Sequence, residues 1–511
     1  MKKMRFKGSF CYIFLMVISV VFVFTFAFSI NPIITESLEV DASCFYVIGR
    51  DMLHGKMPYL DFVDNKGPVT YIIYALSSAI SSFPWGILFI SAMMIFASLV
   101  ILKYICKKLN IKHFYVICLL YLFFYVCICS NGGYTEDMAL PLTLGAFAVL
   151  LFSEEQLLSK KSMFISGLLY GILFWLCVFT RLNNAVTTGV LTAFSGIHIL
   201  TKKQIKSFFI FVGSFLVGSF AIILPIAVWL AKNGAMQEFL NQFILNNFKY
   251  SSAGSAVSKS SLFIFEQFGH RLYLLVAIGI ICSIFFIKSN PKERRPISIA
   301  SIVAIGITAF SFVSMTNPFP HYTLVVFAPA FFGFILLFSS SNGDKNIKTY
   351  SKKLIAAICC IAVLTTFTAI PQFYNGVAYA GNFVRTCLNG TITNVPNGTD
   401  MSEKVSKMTD HIPDNERNSV FSINVNPCFY ALSGISPSER IFVCSSLFTE
   451  ISDDYKNEFI GYFKTEPPKW LVTAKPLEKT EICGGLETQL IKQYILIDSV
   501  DETFYLYKLG D

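Results

Sequence analysis

The chain has 511 residues, of which 54% are hydrophobic and only 14% are charged, and its mean hydropathy is +0.59. Soluble domains carry about a quarter charged residues, so this composition excludes a soluble protein and indicates that most of the chain faces lipid or other buried helices. The net charge of +9 does not indicate a nucleic-acid partner. The lysines and arginines cluster between apolar segments, as the cytoplasmic loops of membrane proteins require.

Long apolar segments recur through the first two thirds of the chain. A helix needs about 20 apolar residues to cross the hydrocarbon of a bilayer. The first segment is longer than the apolar core of a signal peptide, which favours an uncleaved anchor. We predict about eleven transmembrane helices, at 9–30, 86–105, 114–130, 138–153, 163–180, 185–200, 207–231, 271–288, 297–316, 322–340 and 353–370.

Basic residues predict the orientation of these helices. Lysine and arginine crowd the positions before the first span, which places the N-terminus in the cytoplasm, and each later inside loop also holds a basic cluster. The pattern requires 69–83, a short segment ending in Ser-Ser-Phe-Pro, to lie in the outer interface without crossing. We therefore predict a multi-pass protein of the plasma membrane that contacts membrane lipids and has an extracytoplasmic C-terminal region.

The first predicted outer loop, 31–85, is unusually rich in charged and turn residues. Asp41 lies shortly after the first span, where a carboxylate can take the proton of a hydroxyl nucleophile. The alternative for Asp41 is a solvated loop carboxylate. Lys66 precedes a Gly-Pro turn and is a compact cation suited to a phosphate oxygen, or alternatively to a lipid headgroup.

Further candidates lie on the same predicted face. Glu136 and Asp137 follow a Gly-Gly turn and can orient an acceptor, support the loop or bind a divalent cation, although a metal site needs more oxygen ligands than the sequence identifies. Arg181 can hold phosphate with two parallel hydrogen bonds or extend to the interface. His321 can bond phosphate or a sugar hydroxyl, or be an ordinary interfacial histidine. A long outer loop at 232–270 is a linker or a lid.

From about residue 371 the chain becomes more charged and its pattern changes. Short β-type runs predict a small extracytoplasmic α/β domain at 371–511, after a transmembrane domain at 1–370. The runs begin at Ser419, Arg440, Trp470, Tyr494 and Thr503. Four tail cysteines can pair if the tail lies outside the cell: Cys387, Cys428, Cys444 and Cys483. No Cys/His spacing is typical of a metal site.

At these residues the chain resembles the GT-C superfamily of polytopic, polyprenyl-phosphate-sugar-dependent glycosyltransferases. The resemblance is to bacterial members of the family 39 type, both protein mannosyltransferase-like and aminoarabinose-transferase-like. It spans roughly residues 1–340. It is carried by Asp41 with Phe45-Tyr46-Val-Ile-Gly49-Arg50-Asp51, Pro58-Tyr59, Asp61-Phe-Val-Asp64-Asn-Lys66-Gly67-Pro68, Thr135-Glu136-Asp137, Thr180-Arg181-Leu-Asn183 and His321-Tyr322.

The resemblance implies a GT-C fold and particular roles for these residues. Asp41 would be the catalytic base, Lys66 would contact the donor phosphate, and Glu136 or Asp137 would assist the site. The family's usual Asp-Glu pair is Asp41-Ala42 here and the arginine often found after it is absent, which leaves Arg181 as the substitute phosphate ligand. Tyr59 and Asp64 join the acidic pair as acceptor-binding or supporting residues, and His321 joins the phosphate ligands.

The sequence therefore predicts an inverting glycosyltransferase that moves a sugar from a polyprenyl phosphate to a wall polymer, a lipid-linked glycan or a protein. This prediction requires Asp41, Lys66 and Arg181 to converge beside the outer leaflet. A transporter or flippase of lipid-linked glycans is the alternative, and it would place ionisable residues in the middle of the membrane. A non-catalytic membrane sensor is a third class, but it would leave the charged first loop unexplained.

Overall fold

The structure is a computed structural model. It describes residues 2–27, 30–31, 39–128, 132–155, 159–252, 270–289, 294–314, 319–339, 381, 401–443, 448–450, 452–480 and 482–510. These residues form two compact units. The helical unit comprises those within Met1–Phe28, Phe89–Val228 and Gly254–Asn382, and the loop unit comprises those within Ser29–Leu88, Trp229–Ala253 and Phe383–Asp511.

The described residues are mostly helical. In chain order the α-helices are α1 (Lys2–Phe26), α2 (Val40–Met52), α3 (Pro68–Ile80), α4 (Trp85–Lys108), α5 (Phe114–Ile128), α6 (Thr135–Glu155), α7 (Lys160–Val178), α8 (Val186–Thr201), α9 (Ile205–Lys232), α10 (Met236–Phe239), α11 (Asn246–Ser252), α12 (His270–Ser289), α13 (Arg295–Val313), α14 (Leu324–Ile335), α15 (Met401–Thr409), α16 (Cys428–Ser433), α17 (Asp453–Thr465) and α18 (Leu486–Gln493).

The predicted spans correspond to helices. Ten of the eleven predicted spans overlap α1, α4–α9 and α12–α14, one span for each helix. The remaining span, 353–370, lies outside the described residues. Shorter apolar helices include Phe10–Phe26, Phe114–Ile128 and Leu272–Lys288. The protein is therefore a polytopic α-helical membrane protein, as predicted. Among the described residues, six helical segments are long and apolar enough to cross a membrane: Trp85–Lys108, Thr135–Glu154, Lys160–Val178, Ile205–Lys232, Arg295–Val313 and His321–Phe338.

The segment predicted to lie in the interface forms α3. Its helix begins at Pro68, because proline has no N–H to lose at the first helical position, and it ends at Ile80 after 13 residues. At a rise of 1.5 Å per residue such a helix is about 20 Å long, which is shorter than the roughly 30 Å of bilayer hydrocarbon. The orientation of the chain across the membrane stays a prediction.

Small residues let the helices of the helical unit approach closely. A Cβ atom at Gly333 of α14 would lie 2.5 Å from the carbonyl oxygen of Gly279 in α12. Hydroxyls then link α12 to α13, because Ser298 Oγ donates to the Ser283 carbonyl at 2.7 Å and the Ser283 and Ser301 hydroxyls are 3.1 Å apart. Close backbone contact and hydroxyl bonds are what hold helices together where the hydrophobic effect is absent.

The tail contains a four-stranded sheet, in the order β1-β2-β4-β3, which confirms the predicted C-terminal α/β structure. Strand β1 (Val420–Ile423) pairs in parallel with β2 (Trp470–Thr473). Strands β3 (Tyr494–Val500) and β4 (Phe504–Leu509) complete the sheet through antiparallel pairing.

One predicted strand was wrong. The residues from Arg440 to Val443 pair with none of the described strands, although Ile441, Phe442 and Val443 are buried. An apolar run looks the same in sequence whether it joins a ladder or only fills a core. Of the tail cysteines, Cys428 and Cys483 are free thiols, whereas Cys387 and Cys444 lie outside the described residues.

Within the loop unit, the tail holds the first loop through Arg50 of α2. This guanidinium donates to the carbonyl oxygens of Tyr430 and Ile435, each at 2.8 Å, and to Asp51 Oδ1 at 2.8 Å. Asp51 also accepts a hydrogen bond from the Ser436 hydroxyl. Arg50 and Asp51 are both buried, so each relies on these partners to replace lost hydration.

Further contacts continue along the loop. The Val63 N–H donates to the Arg440 carbonyl at 3.0 Å, and the rings of Phe62 and Phe442 meet edge to face at 5.7 Å. Lys56 Nζ donates to the Pro437 carbonyl at 3.4 Å. The first loop is therefore bound to the tail at several points between Arg50 and Val63.

We expect Arg50→Ala to destabilise the loop unit strongly. It leaves Asp51 and two buried carbonyl groups short of a donor, and breaking a buried ion pair costs about 3–5 kcal/mol. Thermal unfolding in detergent checks this, with Lys407→Ala as the control. Lys407 forms an exposed i,i+4 pair with Glu403 at 3.0 Å, and exposed pairs of this kind contribute little to stability. Equal melting temperatures for the two variants would contradict the importance of Arg50.

Candidate functional site

Four of the predicted site residues lie in the loop unit, where we call them the loop cluster: Asp41, Tyr59, Asp64 and Lys66. Asp41 lies half-buried in the first turn of α2, which starts after Glu39. A carboxylate there is favoured by the partial positive charge of the helix N-terminus. Lys66 lies half-buried just before Gly67, the N-cap of α3. The starts of two helices thus position the candidate base and the candidate cation.

Asp64 is the buried member of the loop cluster. Its carboxylate accepts hydrogen bonds from the Tyr71 hydroxyl at 2.8 Å and from the Asn65 N–H at 2.7 Å. Burial raises the pKa of Asp64, the positive charge of Lys66 and the two hydrogen bonds partly offset it, and the charge of Asp41 raises it further. Asp64 therefore lies within electrostatic range of both Asp41 and Lys66.

Tyr59 fixes the backbone around the lysine. Its hydroxyl donates to the Lys66 carbonyl at 2.8 Å, and its own backbone has a left-handed φ of +73°. Burial raises the pKa of Tyr59 well above its ordinary value, so the hydroxyl stays a donor at neutral pH. The Lys66 ammonium donates to Asn65 Oδ1 at 2.9 Å and lies 5.6 Å from the centre of the Phe45 ring.

Gln242 is a supporting residue that the sequence interpretation missed. Its side-chain oxygen accepts the Asp64 N–H at 3.2 Å, and its amide donates to the Tyr59 carbonyl at 2.7 Å. It lies in a π-helical segment, Leu240–Leu245, between α10 and α11. The predicted outer loop at 232–270 was therefore wrong up to Ser252, and 253–269 lie outside the described residues. Glu238 and Gln242, four residues apart and therefore on one face of a helix, were the available signal.

The other four predicted residues lie in the helical unit, where we call them the helix-end cluster: Glu136, Asp137, Arg181 and His321. Glu136 is buried in the first turn of α6 and accepts a hydrogen bond from Arg181 Nη1 at 2.5 Å. The Arg181 guanidinium carbon also lies 3.7 Å from the centre of the Tyr322 ring. Ion pair and ring together hold the guanidinium in one orientation.

His321 is stacked on Tyr134. The two rings are 4.0 Å apart and differ by only 5° in tilt. Tyr134 lies immediately before α6 and His321 lies in the short turn before α14, so this stack joins two helix starts. It brings the imidazole to the same group of helix ends as Arg181, whose partner Tyr322 is the next residue in the chain.

The neighbouring acidic residues have different surroundings. Asp137 accepts hydrogen bonds from the Tyr125 hydroxyl at 2.6 Å and the Tyr134 N–H at 3.0 Å, so it holds the turn before α6. Asn184 adds a further bond, because its amide donates to the Thr135 carbonyl at 3.0 Å. Glu136 orients Arg181, whereas Asp137 supports the backbone that carries Glu136.

The structure thus brings the predicted residues together as two groups of four, one in each unit. That the two groups serve one phosphate stays a prediction. In the part of the chain that the structure describes, no three His, Cys, Asp or Glu side chains are grouped as a metal site requires.

Comparison with known proteins identifies the fold. The structure is similar to that of ArnT from Cupriavidus metallidurans bound to undecaprenyl phosphate, with a TM-score of 0.61 and 11% sequence identity over 98% of both chains. It is also similar to ArnT from Cupriavidus metallidurans in the apo state, with a TM-score of 0.59 and 12% identity over 98% of both chains. No family model matches the sequence, and no curated protein matches it.

The architecture therefore defines a class. The chain is a polytopic membrane protein with the GT-C fold, as the resemblance at its loop motifs predicted. At 11–12% sequence identity, the similarity to the ArnT structures establishes the fold alone.

We expect Glu136 and Arg181 to stabilise the helical unit only as a pair. Glu136→Met and Arg181→Met each leave one buried charge without its partner, whereas the double variant removes both charges. The loss in the double variant should be smaller than the sum of the single losses by about 0.5–3 kcal/mol. Unfolding of the four proteins in detergent measures this coupling.

The exposed pair Glu403 and Lys407 provides the matched control cycle, since its coupling should be much smaller than that of the buried pair. Additive losses at Glu136 and Arg181 would show that the pair does not act as a unit.

We expect the stability of the loop unit to respond to pH through Asp64. Because its pKa is raised on folding, its stabilising contribution is full below the ordinary value of 3.8 and is lost as the pH rises through the folded value. Asp64→Asn should therefore gain melting temperature relative to the wild type as the pH rises from mildly acidic to neutral. Asp61→Asn, at an exposed carboxylate of the same loop, is the control. A difference for Asp64→Asn that is constant with pH would contradict this account.

Proposed function

We propose that this protein is an integral membrane glycosyltransferase that transfers a sugar from a polyprenyl phosphate to a cell-surface acceptor. The acceptor would be a wall polymer, a lipid-linked glycan or a protein. The single observation that supports this most is the loop cluster. It places Asp64 within electrostatic range of both Lys66 and Asp41, a carboxylate at a helix start, in a loop that is joined to the tail through Arg50.

The reaction that suits this cluster is a direct displacement at the anomeric carbon. The acceptor oxygen forms a bond to that carbon while the bond from the carbon to the phosphate oxygen breaks. The proton of the acceptor hydroxyl passes to the carboxylate of Asp41, which acts as general base. Attack opposite to the departing phosphate inverts the anomeric configuration.

The departing polyprenyl phosphate gains negative charge as its bond to the sugar breaks. A cation aimed at the site of developing charge lowers the barrier to that step. In the loop cluster this cation is Lys66, whose backbone is held by Tyr59 and whose side chain is held by Asn65. Arg181 and His321 are the further candidates for phosphate contact.

Asp64 and Gln242 have supporting roles in this proposal. Asp64 places a second carboxylate near Lys66 and is itself held by Tyr71. Gln242 joins the Asp64 N–H to the Tyr59 carbonyl. Together they set the path of the chain between the candidate base and the candidate cation, and neither needs to touch substrate.

A polyprenyl carrier is proposed by analogy with the fold. The similar ArnT structure contains undecaprenyl phosphate. The present chain offers the lysine and the arginine that a lipid-linked phosphate would need, on a membrane-spanning framework.

The distribution of charge disfavours the transporter alternative. In the six described segments long enough to span, the Asp, Glu, Lys, Arg and His residues lie within the first or last two turns. Transport sites are built from ionisable groups at mid-membrane, where each is costly and is retained for its function. Chemistry at a membrane surface fits the observed distribution better.

We expect Asp41→Asn to reduce sugar transfer by a factor of about 10²–10⁴, the usual contribution of a general base. The measurement is transfer of labelled sugar from a polyprenyl phosphate by the purified protein in lipid nanodiscs. Asp61→Asn is the matched control in the same loop. Its amide oxygen can still accept the Met57 N–H that Asp61 now accepts at 2.5 Å. Unchanged transfer by Asp41→Asn would remove Asp41 from the proposed role.

A further inference from the structure

A polar cavity lies in the tail, at the carboxyl ends of its two parallel strands. Ile423 of β1 and Thr473 of β2 are paired, so the chain leaves the sheet at neighbouring points. Asn424 follows β1 with a left-handed φ of +56°, and Ala474 and Lys475 follow β2. Crevices at the carboxyl ends of parallel strands are where ligands bind in open α/β sheets.

The cavity has the size and lining of a small-molecule site. Its volume is about 460 Å³, and it is lined by Asn424, Ala474, Lys475, Lys479 and Thr480. Small-molecule sites usually measure about 300–1,000 Å³. The two ionisable residues among the five are both lysines, so the lining favours an anion. The amide and the hydroxyl add neutral hydrogen-bonding groups of the kind that bind sugar hydroxyls.

The backbone that carries the lysines is firmly held. The hydroxyls of Thr473 and Thr480 both donate to the Lys475 carbonyl, at 2.5 and 3.1 Å. The Lys479 N–H donates to the Pro476 carbonyl at 2.8 Å. The Leu477 N–H donates to the Tyr507 hydroxyl on β4 at 3.0 Å. A segment ordered before binding loses less entropy when a ligand arrives.

We propose that this cavity, the tail pocket, binds a saccharide that carries a phosphate or carboxylate group. Lys475 and Lys479 bind the oxyanion, and Asn424 and Thr480 face the sugar. Its assignment as a subsite for the acceptor glycan rests on the proposed glycosyltransferase function, whereas the binding itself does not. The tail pocket would then select anionic acceptors over neutral ones.

The test measures binding by the full chain in nanodiscs of a zwitterionic lipid. The probes are glucose 6-phosphate, glucuronate, glucose and inorganic phosphate, and the readout is calorimetry or saturation-transfer NMR. At least one charged sugar should bind saturably and more tightly than glucose and than inorganic phosphate. Absence of saturable binding by both charged sugars would overturn the proposal, and so would equal affinity for glucose.

Charge variants locate the binding. The double substitution Lys475→Gln with Lys479→Gln should weaken binding of the charged sugar by about tenfold or more, since hydrogen bonds between charged groups are stronger than those between neutral groups. Lys475→Arg with Lys479→Arg should retain binding, which separates loss of charge from loss of fold. Lys464→Gln with Lys492→Gln, at exposed lysines elsewhere in the tail, is the matched control. Unchanged affinity after Lys475→Gln with Lys479→Gln would overturn the assignment.

Two further arms separate the sources of the oxyanion. Inorganic phosphate that binds as tightly as glucose 6-phosphate would show a site for free phosphate and overturn the saccharide assignment. The second arm adds anionic phosphatidylglycerol to the nanodisc. It could displace the charged sugar from the wild type and leave the sugar binding of the protein with Lys475→Gln and Lys479→Gln unchanged. That result would show a lipid headgroup site and would also overturn the saccharide assignment.

The two proposals fail separately. Binding is measured again in the Asp41→Asn protein, where the tail pocket should be unaffected. Intact binding with unimpaired transfer by Asp41→Asn overturns only the role of Asp41. Absent binding with transfer that still depends on Asp41 overturns only the tail pocket.

Discussion

The arrangement of the loop unit depends on one buried guanidinium. Arg50 binds Asp51 and the carbonyl oxygens of Tyr430 and Ile435. It thereby joins α2 to α16 and to the turn that follows α16. Ordering a loop of this length costs conformational entropy, and its buried apolar side chains, such as Phe45, Tyr59 and Phe62, offset only part of that cost. Contacts with the tail supply that ordering. Asp41 lies at the start of the same helix that Arg50 anchors near its end, so the position of the candidate base follows from this contact.

A second layer of bonds acts closer to the proposed chemistry. Gln242 and Tyr71 surround Asp64, and Tyr59 holds the Lys66 backbone. Tyr71 and Gln242 come from other stretches of the chain, and both contact residues 59–66. In the helical unit Glu136 and Tyr322 hold Arg181 in a comparable way. The candidate phosphate ligands Lys66 and Arg181 are therefore held by neighbouring residues and do not extend freely into solvent.

The sequence predicted the parts of this structure that local pattern determines. Membrane-length apolar runs identified the helices, because crossing the hydrocarbon demands both length and apolarity. Alternating β-branched and aromatic runs identified β1–β4. The run at Arg440 was misassigned because burial without a partner strand leaves the same apolar signature. The helices between 232 and 252 were missed because Asn, Gln and Lys interrupt the apolar residues of that stretch, and its order comes from tertiary contacts.

The candidate site divides in the same way. Asp41, Asp64 and Lys66 are close in sequence and share one loop, so their clustering could be predicted. The pairing of Glu136 with Arg181, 45 residues apart, required the fold. Gln242 contacts Tyr59 across 183 residues, and nothing in either local sequence announces that bond.

The reach of Arg50 along the chain has a consequence for biogenesis. Its partners lie 380 and 385 positions later, so α2 emerges from the ribosome long before the groups that anchor it exist. A nascent or truncated chain contains Asp41 and Lys66 but lacks the contacts between Arg50 and the tail. The arrangement of the first loop therefore depends on synthesis of the tail. A chain that ends before Tyr430 lacks both carbonyl partners of Arg50.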